Sequence, residues 1–224
     1  MKKRIFLAAA LSLLLTAPAQ AMMDKGEESG ENYTMHYPLI YVEDAAAQQA
    51  INEDIAVYMD RFREHMQQGD DTEGLEPGHR LYYSQGAVDC TLRYEDAQVI
   101  SLTMTIGWYS GGAHGMYTVY GLNYDKQTGA RLPLGNYLRI TPEQLNAALS
   151  EHLYDGSGKR VSYTAGPYKS ASPIREVPQD YYLLEDGGIA LQFQPYHLGS
   201  FAQGAMTMRF DRKSVAAYNA QNPA

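Results

Sequence analysis

Tyr109-Ser110-Gly111-Gly112-Ala113-His114-Gly115 lies between two runs that read as β-strands. Upstream, Ile100, Leu102, Met104 and Ile106 alternate with Ser101, Thr103 and Thr105, the period of two that puts apolar side chains on one face of a sheet. Downstream, Met116 to Tyr124 is rich in aromatic and β-branched residues and carries no charge. The three glycines let the intervening backbone turn through positive φ and approach another segment closely. Three readings of the polar groups in this turn stand side by side. Ser110 and His114 with a carboxylate would form a hydrolase triad, although no G-x-S-x-G elbow surrounds the serine. His114 with His152 or His197 would offer nitrogens to a metal, although no His-x-His or HExxH spacing supports it. In the third reading the glycines only tighten a hairpin, and His114 bonds a neighbouring backbone group.

Working outward, strands are predicted over 80–83, 87–96, 98–108 and 115–125, with connections short enough for an antiparallel meander. Before them, Tyr33, Met35, Tyr37, Leu39 and Tyr41 describe a strand interrupted at Pro38. A helix follows, capped by Asp44, with Ile51, Ile55, Tyr58, Met59 and Phe62 as its apolar stripe and Glu53, Asp54, Arg61 and Glu64 on a solvated face. After the meander, Thr141-Pro142-Glu143-Gln144 is a capping box that starts a second helix, buried through Leu145, Ala148, Leu149 and Leu153. A long loop spans about 156–180. A hairpin over 181–184 and 189–193, a strand over 204–210 and a short helix over 214–218 complete the chain. This order predicts an α+β fold, an antiparallel meander-like sheet packed against two main helices.

The ends of the chain bear on where it works. Lys2, Lys3 and Arg4 precede the apolar run Ile5 to Leu15, and Ala19-Gln20-Ala21 supplies a cleavage site, so residues 1–21 read as a secretory signal peptide. No later run approaches the roughly 20 apolar residues of a membrane span, and Met22 rather than cysteine follows the cleavage site. A periplasmic or secreted protein without a membrane anchor is expected. Residues 22–31 are polar and read as a flexible leader, followed by one domain over 32–220, or two intimate subdomains over about 32–95 and 96–220. Removing Lys2, Lys3 and Arg4, with no acidic residue in the same segment, takes the formal charge from −8 to −11. That field disfavours nucleic acid and anionic membranes and favours cationic partners. Cys90, the single cysteine, sits on an alternating strand and reads as a buried, inert thiol. Nothing in the sequence implies a cofactor.

Four fragments occurring in order carry a family resemblance. They are Asn52 within Ile51-Asn52-Glu53-Asp54-Ile55, the Ser110-Gly111-Gly112-Ala113-His114 run, Asn123-Tyr124-Asp125 ahead of Thr128-Gly129 and Leu132-Pro133-Leu134, and Phe193-Gln194-Pro195-Tyr196 with Gly204 downstream. Over roughly 32–218 the chain resembles the extracellular domain shared by RsiV-type lysozyme-responsive anti-sigma factors and the non-catalytic part of PdaC-type peptidoglycan deacetylases. The resemblance implies binding of a cationic lysozyme-like protein, with a cell-wall glycan as the alternative. No transmembrane helix, sigma-binding segment or deacetylase domain accompanies it, so neither membrane-spanning signalling nor deacetylation is expected. His197-Leu198-Gly199-Ser200-Phe201 also replaces the Glu-Ile-Ala-Pro-Tyr type of sequence that many relatives carry after Pro195-Tyr196. The expected binding residues are Tyr109, Ser110, Gly111, Gly112, His114, Tyr117, Pro195, Tyr196 and Phe201, in a non-catalytic module.

Overall fold

The computed structural model describes residues 22–68, 70–71, 80–81, 84–161 and 173–224. The signal peptide read at 1–21 and the middle of the predicted 156–180 loop lie outside the described residues. Helix α1 (Ala45–Gln68) starts where the Asp44 carboxylate accepts from the Ala47 N–H at 2.9 Å, the cap expected from the sequence. Its buried stripe, Ile51, Ile55, Met59, Phe62 and Met66, packs with Met35, Val88, Leu102, Met104 and Tyr124 of a five-stranded sheet. Each such side chain contributes roughly 1.5 to 3 kcal/mol when fully buried. The sheet is built from β1 (Met22–Ser29), β2 (Tyr33–Tyr41), β5 (Gln85–Glu95), β6 (Val99–Tyr109) and β7 (Met116–Asp125), in that order. A short β3 (Asp70–Asp71) pairs with β4 (Arg80–Leu81).

Strands β5, β6 and β7 form the expected meander, whereas β4, at the predicted 80–83 strand, pairs with β3 in a separate sheet. One pairing departs from the meander, because α1 carries the chain across the sheet and β5 returns parallel to β2. That parallel pairing stops at Met35, so Pro38 lies where β2 has a strand neighbour on one side alone. Beyond that point the Asn52 side chain takes over. It accepts from the Ile40 N–H at 2.9 Å and donates to the Ile40 carbonyl at 2.7 Å.

Two expectations about domain limits are corrected. Residues 22–31 are not a flexible leader, because β1 occupies Met22–Ser29 in an eight-residue antiparallel ladder with β2. Glu28 fastens it, accepting from Arg63 of α1 at 2.7 Å and from the Tyr33 hydroxyl at 3.0 Å. The charged composition that reads as disorder is also what an edge strand tolerates. A division near 95/96 would cut the β5–β6 hairpin; the apolar residues instead gather into two cores, one under α1 and one around a second sheet.

That second sheet has the order β8 (Leu153–Tyr154), β11 (Met206–Phe210), β10 (Ile189–Phe193), β9 (Tyr181–Leu183). Helices α2 (Pro142–His152) and α3 (Arg212–Gln221) pack on it, α2 beginning with the predicted Thr141/Gln144 capping box and α3 extending the short helix expected near the end. Strand β9 lies on the outer face of β6 and β7. The Leu183 N–H donates to Ser101 Oγ at 3.0 Å, and Asn123 Nδ2 donates to the Tyr181 carbonyl at 2.8 Å. Gly121 permits this docking, since a Cβ there would stand 2.2 Å from the Tyr181 carbonyl oxygen.

The free edge of β7 is closed by groups from outside the sheet. The Val119 N–H donates to Gln194 Oε1 at 2.8 Å, and Gln194 Nε2 donates to the Val119 carbonyl at 2.7 Å. The Gly121 N–H donates to Asp180 at 3.0 Å, Arg131 reaches the Gly121 carbonyl, and the Leu132 N–H donates to the Asn123 carbonyl. Burial raises the pKa of Asp180, opposed by the bonds from Gly121 and Gln194 and by the charge of Arg131.

Candidate functional site

Gln194 is the residue from which the site is built. By pinning the chain to β7 it directs the next two residues: Pro195 is buried, and Tyr196 turns outward in a left-handed conformation, φ 70°. Non-glycine residues adopt that conformation at a cost and persist in it where the surroundings impose it, a condition concentrated at functional sites. Tyr196 is 53% exposed, more than any other large hydrophobic side chain among the described residues.

The β6–β7 turn comes up to meet it. Gly111 and Gly112 have φ of 98° and 96°, and the Tyr109 hydroxyl donates to the Gly112 carbonyl at 2.9 Å, so the turn is tied to its own strand. His114 Nδ1 lies 2.8 Å from the Gly115 carbonyl and Nε2 lies 3.1 Å from the Tyr196 hydroxyl. A carbonyl only accepts, so Nδ1 carries the proton and Nε2 accepts from Tyr196. The His114 ring stacks on Phe201 with centroids 3.7 Å apart and planes 7° from parallel. Phe201 opens a 3-10 turn (Phe201–Gln203) that ends at Gly204, φ 72°, where the Ala205 N–H donates to the Tyr117 hydroxyl at 2.7 Å. Tyr117 and Tyr196 sit 5.9 Å and 5.8 Å from Phe201, centroid to centroid, completing a cluster of four rings.

The cluster borders a groove of about 1030 Å³ between the 173–179 segment and the 196–200 loop, with Tyr196 on its wall and Arg175, Glu176 and His197 among its polar groups. Such a surface combines amphipathic rings with charges of both signs.

Of the nine expected site residues, His114, Tyr117, Tyr196 and Phe201 come together. Gly111 and Gly112 shape the turn, Tyr109 ties it down, and Pro195 is buried beneath the cluster. Ser110 makes no hydrogen bond to a described residue, and both His114 nitrogens are engaged elsewhere, so the Ser110–His114 pairing of a triad is not formed. His152 bonds the Arg209 carbonyl and stacks on Phe210, and no group of three or more His, Cys, Asp or Glu residues placed to hold a metal occurs among the described residues. Cys90 is buried, and burial pushes its thiol up to about 11. Asp54 stays partly exposed on the predicted face while it accepts from the Tyr124 hydroxyl at 2.7 Å and pairs with Arg131 at 3.2 Å.

Sequence reasoning missed Gln194 and Arg175. Nothing in the local pattern pairs Gln194 with Val119, 75 residues away.

The fold has known counterparts. Residues 25–117 match the family model described as Deacetylase PdaC. The matched region runs from within β1 to the start of β7 and includes the Gly111-Gly112 turn. The whole fold is similar to a DUF3298 family protein from Pseudomonas aeruginosa PAO1, with a TM-score of 0.57 and 15% identity over 89% of this chain and 94% of that one. A DUF3298 family member from Bacteroides fragilis NCTC 9343 aligns with a TM-score of 0.55 and 16% identity over 88% and 92% of the two chains. At these identities the likeness is one of fold. No curated protein matches the chain.

Proposed function

We propose that the protein is an exported, non-catalytic binding module of the cell envelope, and that its partner is a cationic lysozyme-like protein. The observation that carries this reading is Tyr196, exposed and strained at the outer side of the His114–Tyr117–Phe201 cluster beside a groove. Exposed aromatic anchors held rigidly by their neighbours are the kind of residue that dominates protein interfaces. The acidic net charge supports a cationic partner, and the signal-peptide pattern at 1–21 supports export. The PdaC-type match and the resemblance to RsiV-type extracellular domains support a cell-envelope role. Among the described residues no helix is long and apolar enough to cross a membrane.

Surface-immobilised protein titrated with hen egg-white lysozyme at about 0.15 M salt, where charges are screened beyond roughly 8 Å, is the direct test. Saturable binding is expected, and Tyr196→Ala should weaken it by about 1 to 3 kcal/mol through faster dissociation. Binding that vanishes at this salt, or that ignores Tyr196→Ala, would reduce the contact to attraction between opposite charges and leave a cell-wall glycan as the ligand to test with purified peptidoglycan.

A further inference from the structure

Trp108 and Tyr109 are successive residues of β6, so their side chains project to opposite faces of the sheet. Tyr109 shares the face of Tyr117 and the ring cluster, whereas Trp108 faces α1 and lines a separate groove of about 340 Å³. Its walls are Tyr58, Arg61, Phe62 and His65 of α1, Trp108 of β6 and Tyr120 of β7. Two edge-to-face pairs organise them: Tyr58 with Tyr120 at 5.0 Å and 63°, and His65 with Trp108 at 6.2 Å and 62°. The volume lies at the small end of the range for ligand pockets, enough for one ring-sized group.

The rim is as telling as the walls. Arg61 and His65 are four residues apart on α1 and therefore lie on one face of the helix. Arg63, two positions on, is held by Glu28 and Asp60, but Arg61 forms no salt bridge among the described residues of this acidic chain. At the Tyr120 hydroxyl, burial, Tyr58 and Asp180 raise the pKa, while a bond with Thr118 and, least, the charge of Arg61 oppose the rise. The groove thus combines apolar ring surfaces with a guanidinium and two phenol hydroxyls.

We propose that this groove is a second binding site, for a monosaccharide unit that bears a carboxylate. A pyranose ring lays its C–H face on aromatic walls, its hydroxyls meet Tyr58 and Tyr120, and its carboxylate receives the paired N–H donors of Arg61. A wholly aromatic ligand would cover the tyrosine hydroxyls without bonding them, which costs free energy.

Trp108 is the sole tryptophan and lines this groove, so its fluorescence gives a first readout of binding, which the NMR measurement localises on the sugar. Titration with glucuronate is expected to give a saturable change, with glucose binding about tenfold or more weakly and Arg61→Gln losing about tenfold for glucuronate, the size of one charge-assisted contact. Arg61 is exposed and outside the cores, so the variant should keep the parent melting temperature. Saturation-transfer NMR of glucuronate, independent of any variant, is expected to place the sugar C–H protons against protein. No saturable response to glucuronate, or equal affinity for Arg61→Gln and parent, overturns the site. Benzoate binding as tightly as glucuronate overturns the carbohydrate assignment.

Discussion

Asn52 stands on α1 and Gln194 just beyond β10, and each lays its carboxamide against one residue of a strand, accepting from the N–H and donating to the carbonyl. Each supplies what a neighbouring strand would have supplied. Asn52 reaches Ile40, only 12 positions away, and also donates to the Gln48 carbonyl of its own helix, so it locks α1 and β2 into a single unit around the first core. Gln194 spans 75 positions to Val119, ties the second sheet to the first, and is followed by the buried Pro195 and the strained Tyr196. The same pair of bonds therefore serves stability in one place and positions a surface in the other. Sequence separation and the residues that follow decide which.

The largest expected effect comes from Asn52→Asp. A carboxylate accepts from the Ile40 N–H but faces the Ile40 carbonyl without a proton to donate, a loss of about 3 to 4 kcal/mol at neutral pH. Its folded pKa would be raised above the ordinary aspartate value, so stability should be present below about pH 4 and lost as pH rises through the raised value. Urea unfolding against pH checks this, and a flat profile for the variant would remove Asn52 from its assigned role.

Gln194→Ala should cost less, about 1 to 3 kcal/mol, because only Val119 loses both partners. Its second effect distinguishes it from Asn52: binding through the ring cluster should fall together with the loss seen for Tyr196→Ala. Unchanged partner affinity in a folded Gln194→Ala protein would show that the loop holds its shape without the carboxamide.

Asp180, which shares the β7 edge with Gln194, gives a milder pH dependence to the parent. Because its folded pKa is raised, its contribution is fully present below 3.8 and declines as pH climbs through the raised value. Asp180→Asn should remove that slope from a thermal-melting series, leaving the remaining carboxylates to set the profile.

The smallest effect has the opposite sign. Tyr196→Gly relieves a positive φ and should raise stability by up to about 0.5 to 1 kcal/mol while abolishing the anchor. A melting temperature that falls would mean that the ring packing outweighs the backbone strain.

Much of the fold was legible because it is local. Asp44, the Thr141/Gln144 box and the alternation through Ile100–Ile106 each act within a few residues, and each element stands where they place it. The ring cluster was half legible: His114 and Tyr196 were singled out, but not their contact, which exists because Gln194 carries one to the other. Glycine was legible where φ requires it and not where space does: Gly111 and Gly112 hold positive φ although a Cβ on either would meet nothing, while the inconspicuous Gly121 lies directly under the β9 backbone. The β1 strand was missed for a related reason, since its stability comes from partners at Tyr33–Tyr41 and Arg63 and not from its own composition.

Closing the β7 edge with borrowed groups also bears on how the molecule behaves when concentrated. A sheet flank with unmet N–H and carbonyl groups recruits the flank of the next molecule, and chains joined that way grow without limit. From Val119 to Asn123 that route is blocked by Gln194, Asp180, Arg131 and Leu132, leaving β1 as the other flank of the five-stranded sheet. There Asp24, Lys25, Glu27 and Glu28 crowd mixed charge along eight residues, so two molecules approaching flank to flank would bring acid against acid. Self-association is thus discouraged at one border by saturation and at the other by repulsion.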